Sequence, residues 1–472
     1  MEKTTVIIIT LLVYKVLLIG IGIWSSRRTK SNTDYFLGGR NLGPVVAAIS
    51  YSASSSSAWT LLGMSGAAYV LGLSAIWIVL GCWLGVVLAW YYVAPKMRKY
   101  SAENNNITVI DFVAHKTTGT SRSAIVIVSS IIILISFAFY VAAQFQGAGS
   151  TLSTTFNMSV NGSIILGGLV IMIYTFLGGF WAVSITDTVQ GVLMAITALI
   201  LPTAAIISIG GFDALFEGLR ATADPEYLSL SGKNTGLAVI GFAAGSLGIG
   251  FGPVGQPHLL VRFMALRDDK SVRQARVLTV VWFLIVFTGM LILGLAGQML
   301  IPGLEGAAVE TVFFELTNRL FSPLWAAIII AAVLSAIMST ADSQLLVGAS
   351  SISHDLGLGN RFPKQRLLIS RLAIAVVVIA SIIISIYVPA TIFDRALFAW
   401  SALGAAFGPI VIFKLSGFKY SGKIILLAIL VGFVLAVIFF MLPNTIGDYV
   451  ERIIPFVAGS IILWATRKRK QN

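Results

Sequence analysis

Thirteen apolar runs, most of them long enough to cross a hydrocarbon core of roughly 30 Å, leave this chain little choice but a bundle of membrane-spanning helices. They lie near residues 4–25, 43–70, 74–95, 121–148, 159–178, 183–209, 234–260, 276–300, 322–353, 367–388, 395–414, 423–442 and 453–466. Lipid offers no partners to backbone polar groups, so runs of this length are expected to be helical. With 57% hydrophobic residues, 11% charged and a mean hydropathy of +0.93, the composition excludes an ordinary soluble globular domain. The fold class predicted is an all-α polytopic membrane protein of about 13 transmembrane helices. The largest hydrophilic stretches, near 210–232 and 301–321, are too short for a catalytic or nucleotide-binding domain.

Basic residues sort the connections into two sets. Alternate loops collect Arg27, Arg28, Lys30 and Arg40, then Lys96, Arg98 and Lys99, then Lys116 and Arg122, then Arg262, Arg267, Lys270, Arg273 and Arg276. The same face continues with Arg361, Lys364, Arg366 and Arg371, with Lys414, Lys419 and Lys423, and with residues 467–470, for 25 of the 32 Lys and Arg. The positive-inside rule therefore predicts a cytoplasmic C-terminus and an N-terminus outside, in a multi-pass protein of the cell (inner) membrane. The net charge of +13 is spread over short loops, which suits anionic lipid rather than nucleic acid. The first apolar run lacks a small-residue cleavage site and reads as a retained helix. Cys82 is the single cysteine and carries no compartment signal. No obligate protein partner is evident.

Two runs are interrupted. The second contains Ser50-Tyr-Ser-Ala-Ser-Ser-Ser-Ser57, and the seventh contains Gly245-Ser-Leu-Gly-Ile-Gly-Phe-Gly-Pro-Val-Gly-Gln-Pro257. Gly and Pro weaken a helical ladder, and broken helices at membrane depth belong where they line a cavity. With the first run set aside, each break opens a group of five helices, the pattern of inverted repeats around a midplane site. The alternative is close helix packing through small residues. Residues 1–472 are read as one transmembrane domain. Residues 1–40 form a peripheral helix and loop, 41–209 and 233–414 the two inverted repeats, and 415–472 two peripheral C-terminal helices.

The ninth run carries Ser339, Thr340, Asp342 and Ser343 within five residues. Such groups are costly in hydrocarbon unless they face protein or a bound ion. The hydroxyls alone are also explained by back-bonding to the preceding turn; a buried carboxylate is not. Asp187 is a second carboxylate inside a helix, and apart from any resemblance it reads as a cap at its helix N-terminus or as a gate. His115, His258 and His354 show no metal-ligand spacing and read as lying near the cytoplasmic helix ends. Lys15 falls mid-span, with snorkelling its only ready explanation.

The chain resembles the sodium/solute symporter family, most closely its bacterial sodium/proline branch. The resemblance rests on Tyr35-Phe-Leu-Gly-Gly-Arg-Asn-Leu-Gly43, Gly178-Gly-Phe-Trp-Ala-Val-Ser-Ile-Thr-Asp-Thr-Val-Gln190, Gly255-Gln-Pro-His258, Ala336-Ile-Met-Ser-Thr340 and Gly404-Ala-Ala-Phe-Gly-Pro409. It implies a LeuT-type five-plus-five inverted-repeat core and no enzymatic activity. It also implies a sodium ion held by the carbonyls of Ala53, Ser56 and Ala336 and the hydroxyls of Ser339 and Thr340. Positions 336, 339, 340 and 343 share one helix face, and oxygen ligands suit a hard cation. In some members a second sodium site is built as Asp187, Ser339, Asp342 and Ser343 would build it here; two nearby carboxylates sharing a proton are the alternative.

The same resemblance implies import of a small solute, most simply an amino acid such as proline, with Ser55, Ser57, Trp59, Tyr140, Gln144, Ile249, Phe251 and Trp400 along its path. The chain departs from the proline pattern at Ser55, where an aspartate is usual, and at Ile249, where a tryptophan is usual. The competing expectations are proton coupling on the same fold, and a sugar, sialic acid or carboxylate as solute.

Overall fold

The computed structural model describes residues 3–26, 36–176, 179–443 and 445–467. Arg27, Arg28, Lys30, Tyr35, Gly178 and residues 468–470, used above, lie outside the described residues. Each of the thirteen apolar runs holds helix. Among the described residues, nine helical stretches of at least 18 residues are apolar enough to cross a membrane, and Thr5–Ile21 and Val160–Thr175 are shorter apolar ones.

The first span is α1 (Lys3–Ser26). The second is split into α2 (Pro44–Ser55) and α3 (Met64–Leu71), the latter entered through a wide turn at Trp59–Gly63. Gly72 then turns the chain at a φ of +61°, where a Cβ would lie 2.1 Å from the carbonyl of Tyr227, so only glycine fits. Next come α4 (Ile76–Leu88), α5 (Ala94–Glu103), the short α6 (Val109–Ala114), α7 (Gly119–Phe156), α8 (Val160–Thr175) and α9 (Phe180–Ile209). A further helix α10 (Phe212–Thr222) stands in a segment read as loop.

The seventh span is broken as expected: α11 (Leu237–Gly248), a tight turn Ile249–Val254, then α12 (Pro257–Ala265). After it come α13 (Asp269–Leu300), the short helix α14 (Val312–Leu320), α15 (Pro323–Ser350), α16 (Arg366–Tyr387), α17 (Ile392–Leu415), α18 (Gly422–Met441) and α19 (Tyr449–Ala465). The fold is the LeuT-type, all-α architecture. Helices α15 and α17 are buried along most of their length, whereas α16 and α18 show most of theirs to the surroundings. α15 packs against α1, α2, α7 and α9, and α17 against α7, α18 and the tight turn of the seventh span. The near ends of the two broken helices are joined by backbone: Leu42 N–H donates to the Ala265 carbonyl (3.0 Å) and Arg267 N–H to the Leu42 carbonyl (3.1 Å).

One reading of the sequence is corrected. Arg262 was grouped with the loop residues, but the seventh span resumes helix after its break, and Arg262 is 1% exposed inside the bundle.

Candidate functional site: the break of the second span against the ninth

The serines of α2 end it. Ser52 Oγ donates back to the Ala48 carbonyl (2.8 Å) and Ser55 Oγ to the Ser52 carbonyl (3.0 Å), a local bonding that competes with the helical ladder. The ladder closes with Ser56 N–H to Ser52 O (2.9 Å), and Ser56 leaves helical geometry at φ −98°, ψ 89°. The chain resumes at Ala58, whose N–H is received by Gln144 Oε1 (3.0 Å) rather than by its own helix.

α15 lies directly against this break. Thr340 Oγ1 donates to the Ser54 carbonyl (3.1 Å), Ser54 Oγ lies 3.3 Å from Ser339 Oγ, and 2.9 Å from Ser343 Oγ. Ala53, Ser56, Ala336, Ser339 and Thr340 are all fully buried, and Ser56 Oγ has no protein partner. Of the residues expected to ligate sodium, Ser339 and Thr340 meet α2 at Ser54, which stands between Ala53 and the unwound Ser56. Their hydroxyl and carbonyl oxygens, and an orphaned buried hydroxyl among them, fit a hard monovalent cation.

Next to these oxygens sits a charged pair. Asp187 is well inside α9, so it is not the cap of that helix; Gly179 holds that position. Its Oδ2 receives Arg262 Nη2 (2.8 Å), Ser50 Oγ (2.7 Å) and Ser54 Oγ (3.1 Å), while Oδ1 has no partner. Arg262 also donates from Nε to Ser50 Oγ (2.9 Å), from Nη2 to Ser54 Oγ (2.5 Å) and Ser343 Oγ (2.7 Å), and from Nη1 to the His258 carbonyl. Both side chains are about fully buried. Such a pair is kept by its hydrogen bonds, because the desolvation of two charges offsets much of their attraction. Beneath it is a cavity of about 10 Å³ lined by Arg262, Ser343, Phe180 and Val183.

The second group of ion ligands is only partly assembled. Asp187, Ser339 and Ser343 converge on Ser54, but Asp342 turns elsewhere: it receives Thr175 Oγ1 of α8. Successive helical residues point about 100° apart, so Asp342 and Ser343 serve different faces of α15. On that other side Lys15 Nζ meets Met338 Sδ and Tyr14 Oη lies 2.5 Å from Ser335 Oγ. Lys15 thus faces α15 instead of snorkelling to an interface.

The aromatic residues gather beside the break. Trp400 Nε1 donates to Tyr140 Oη (2.7 Å), and the Trp59 and Trp400 rings meet edge to face at 5.4 Å. Gln144 Nε2 reaches the Tyr140 carbonyl (3.3 Å), and Ser57 Oγ receives Trp59 N–H (3.3 Å). Ser55 is buried with its hydroxyl folded onto its own helix. Ile249 lines a small cavity beside Trp400. Phe251 lines the same cavity and stacks on Phe456 of α19 at 4.2 Å. Three residues were missed. Gly252 makes room for Trp400, since a Cβ there would lie 2.3 Å from the indole. His258 is fully buried beside Tyr140 (6.2 Å between rings), not at a helix end facing water. Arg262 is the third, and the demand of a buried Asp187 for a counter-charge was the available signal.

A bundle whose second and seventh spans are broken, with the hydroxyls of the ninth span bonded to the unwound end of the second, has the architecture of the LeuT-fold transporters. Residues 35–432 match the family described as Sodium:solute symporter family, and the chain belongs to it. It is 35% identical over 473 residues to a sodium/proline symporter of Escherichia coli (strain K12), covering 98% of this chain and 92% of that one. It is 33% identical over 475 residues to the osmoregulated proline transporter OpuE of Bacillus subtilis (strain 168), covering 98% and 95%. The solved structure of a Na+-coupled sialic acid symporter superposes with a TM-score of 0.77 at 19% identity, over 98% of this chain and 99% of that one. The structure of MhsT in complex with L-phenylalanine shares the fold at a TM-score of 0.57 and 13% identity, over 90% and 99%. The chain is thus a sodium-coupled solute symporter, a transporter spanning the membrane many times.

Proposed function

We propose that this symporter imports proline or a closely similar amino acid, each molecule accompanied by sodium bound between the second and ninth spans. The observation that carries the ion assignment is the Thr340 contact to the Ser54 carbonyl, which sets the α15 hydroxyls on the unwound end of α2. Ala53, Ser56, Ala336, Ser339 and Thr340 are the ligands in this reading. The solute occupies the adjoining space bounded by Ser57, Trp59, Tyr140, Gln144, Ile249 and Trp400, and the full-length similarity to proline carriers of two bacteria supports the solute class.

Sodium entering from outside fixes the loose end of α2 against α15 and so shapes one wall of the solute space. Ion and solute then favour the same closed state, a reciprocal coupling, and rocking of the two repeats, 41–209 and 233–414, opens that state to the cytoplasm. The charge pattern supports an inner-membrane protein with its N-terminus outside and C-terminus inside. One charge crossing about 100 mV supplies about 2.3 kcal/mol, and a tenfold sodium gradient about 1.4 kcal/mol. Together these sustain roughly a few hundredfold accumulation.

A second ion beside Asp187 is favoured by one observation: Ser54, Ser339, Ser343 and Asp187 share a single polar centre. In that reading the ion displaces Arg262 from Asp187. Uptake of labelled proline into proteoliposomes tests the assignment, with an inward sodium gradient at fixed pH and then a proton gradient without sodium. Sodium-driven, proline-saturable uptake is expected. Proton-driven uptake without sodium overturns the coupling ion, and competition by a sugar, sialic acid or carboxylate but not by proline overturns the solute.

A further inference from the structure

The connections on the positively charged face enclose a pocket that the transport path does not use. It has a volume of about 380 Å³ and lies between α5, the turn from α6 to α7, and the link from α17 to α18. Lys96, Lys99, Lys116, Lys414 and Lys419 border it against one carboxylate, Glu103. Glu103 is 3.9 Å from Lys99 in a solvent-exposed pair, which neutralises little. Lys414 is fixed in place: its Nζ donates to the carbonyls of Phe112 (2.8 Å), Val113 (2.9 Å) and His115 (3.2 Å), closing the C-terminal end of α6.

Two further features point to a ligand. The buried His115 Nε2 and Tyr420 Oη, both bordering the pocket, have no hydrogen-bond partner in the protein. Burial first, and then the neighbouring Lys414, Lys116 and Arg122, hold the His115 imidazole below its ordinary pKa, with Asp111 opposing. The wall towards the spans is apolar, made by Leu415, Phe418 and Ile425 at the facing ends of α17 and α18. A ligand that matches all of this carries anionic phosphate oxygens at one end and hydrocarbon at the other.

We propose that this pocket binds the phosphate headgroup of an anionic membrane lipid, the glycerophosphate oxygens among the lysines and the first carbons of the chains along Leu415, Phe418 and Ile425. Basic pockets at helix ends on the cytoplasmic side recognise such headgroups by charge, and several lysines converging on one concavity outdo the same charges scattered over loops. The placement on the cytoplasmic leaflet rests on the orientation proposed above; binding itself does not.

The test uses the full chain, delipidated in detergent and titrated with phosphatidylglycerol, with phosphatidylcholine, or with inorganic phosphate alone. Bound lipid is read by native mass spectrometry and by thermal stabilisation. Wild type is expected to retain phosphatidylglycerol well above phosphatidylcholine. The triple variant Lys96→Gln, Lys116→Gln, Lys419→Gln should weaken that retention about tenfold, and a control with equal charge change on the same face, Lys270→Gln, Arg273→Gln, Lys364→Gln, less than twofold. Tyr420→Phe, which changes no charge, should weaken it a few fold and serves if the triple variant is unstable. Equal losses in triple and control, or no preference over phosphatidylcholine, would overturn the site. Equal, lysine-dependent stabilisation by inorganic phosphate alone would overturn the lipid in favour of a soluble anion. Loss of lipid with sodium-driven uptake intact leaves the transport assignment untouched, and the converse leaves the lipid site untouched.

Discussion

The two ends of the broken helices are tied in different chemical currencies. At the end that is the inner one in the orientation proposed above, Arg262 of α12 reaches across to Asp187 of α9 and to Ser50 and Ser54 of α2, a fully buried network built on opposite charges. At the outer end, the chain before α14 places Glu310 over α3, where a Cβ on Gly66 would lie 3.2 Å from the Glu310 backbone. Glu310 accepts the free N–H groups of Ile392 and Phe393 at the start of α17, each at 3.0 Å. That tie is one carboxylate on a helix N-terminus, without an ion pair. The inner tie thus depends on charge balance. The outer tie depends on a single group that titrates: burial, with Asp394 adding to it, raises the Glu310 pKa to about 7 against the opposing N–H groups of Phe393 and Ile392 and the charge of Arg395.

The contrast is broken most severely by Arg262→Met. It leaves Asp187 buried without its counter-charge, and the loss expected is about 3–5 kcal/mol of stability, read from unfolding in detergent. Adding Asp187→Asn should restore much of it. A double variant as unstable as the single one would show that the two residues do not act as a pair.

At the outer end the effect takes the form of a pH dependence. Glu310 has a folded pKa raised from 4.5 to about 7, so the folded state holds its proton more tightly than the unfolded chain. The associated stability is complete below about pH 4.5 and is lost as pH climbs through about 7, amounting to about 3 kcal/mol at most. Unfolding temperature should therefore fall across that window, and Glu310→Gln should flatten the fall. An identical slope in the variant would assign the pH dependence elsewhere.

A third prediction contrasts the breaks themselves. The break in the seventh span is made by glycine at close range: a Cβ on Gly250 would lie 2.4 Å from the Gly81 carbonyl. Gly250→Ala should cost about 1–3 kcal/mol by overpacking, whereas Ser57→Ala in the second span should disturb folding much less. The smallest effect expected is that of Tyr140→Phe, which removes the bond from Trp400 (2.7 Å) and is worth about 1 kcal/mol. It should alter half-saturating solute more than protein yield; a change in yield alone would leave Tyr140 a packing residue.

Much of this was legible in the sequence because it depends on local chemistry. Ser50 to Ser57 and Gly245 to Pro257 break helices wherever they stand, and both breaks are found there. The i, i+3, i+4, i+7 spacing of residues 336 to 343 put Ala336, Ser339, Thr340 and Ser343 on one face without reference to any neighbour. What eluded the sequence depends on which helix lies opposite. Asp342 was grouped with Ser343 by adjacency, although 100° of rotation turns it to Thr175. Arg262 was counted with the loops because the seventh apolar run was ended near residue 260, yet the chain stays helical to Ala265. Phe251 shared a segment with Ile249, and only the docking of α19 explains why its ring stacks on Phe456. The capping of α17 by Glu310 joins residues 82 positions apart, a distance no local pattern spans.

The central claim, that sodium is held between the unwound end of α2 and the hydroxyl face of α15, is tested most directly by the sodium dependence of solute uptake in Ser339→Ala and Thr340→Ala proteoliposomes. Each substitution removes one ligand oxygen, and the sodium concentration for half-maximal uptake should rise about tenfold or more, corresponding to about 1.4 kcal/mol, with folding little changed. Half-maximal sodium at the wild-type value in both variants would contradict the account.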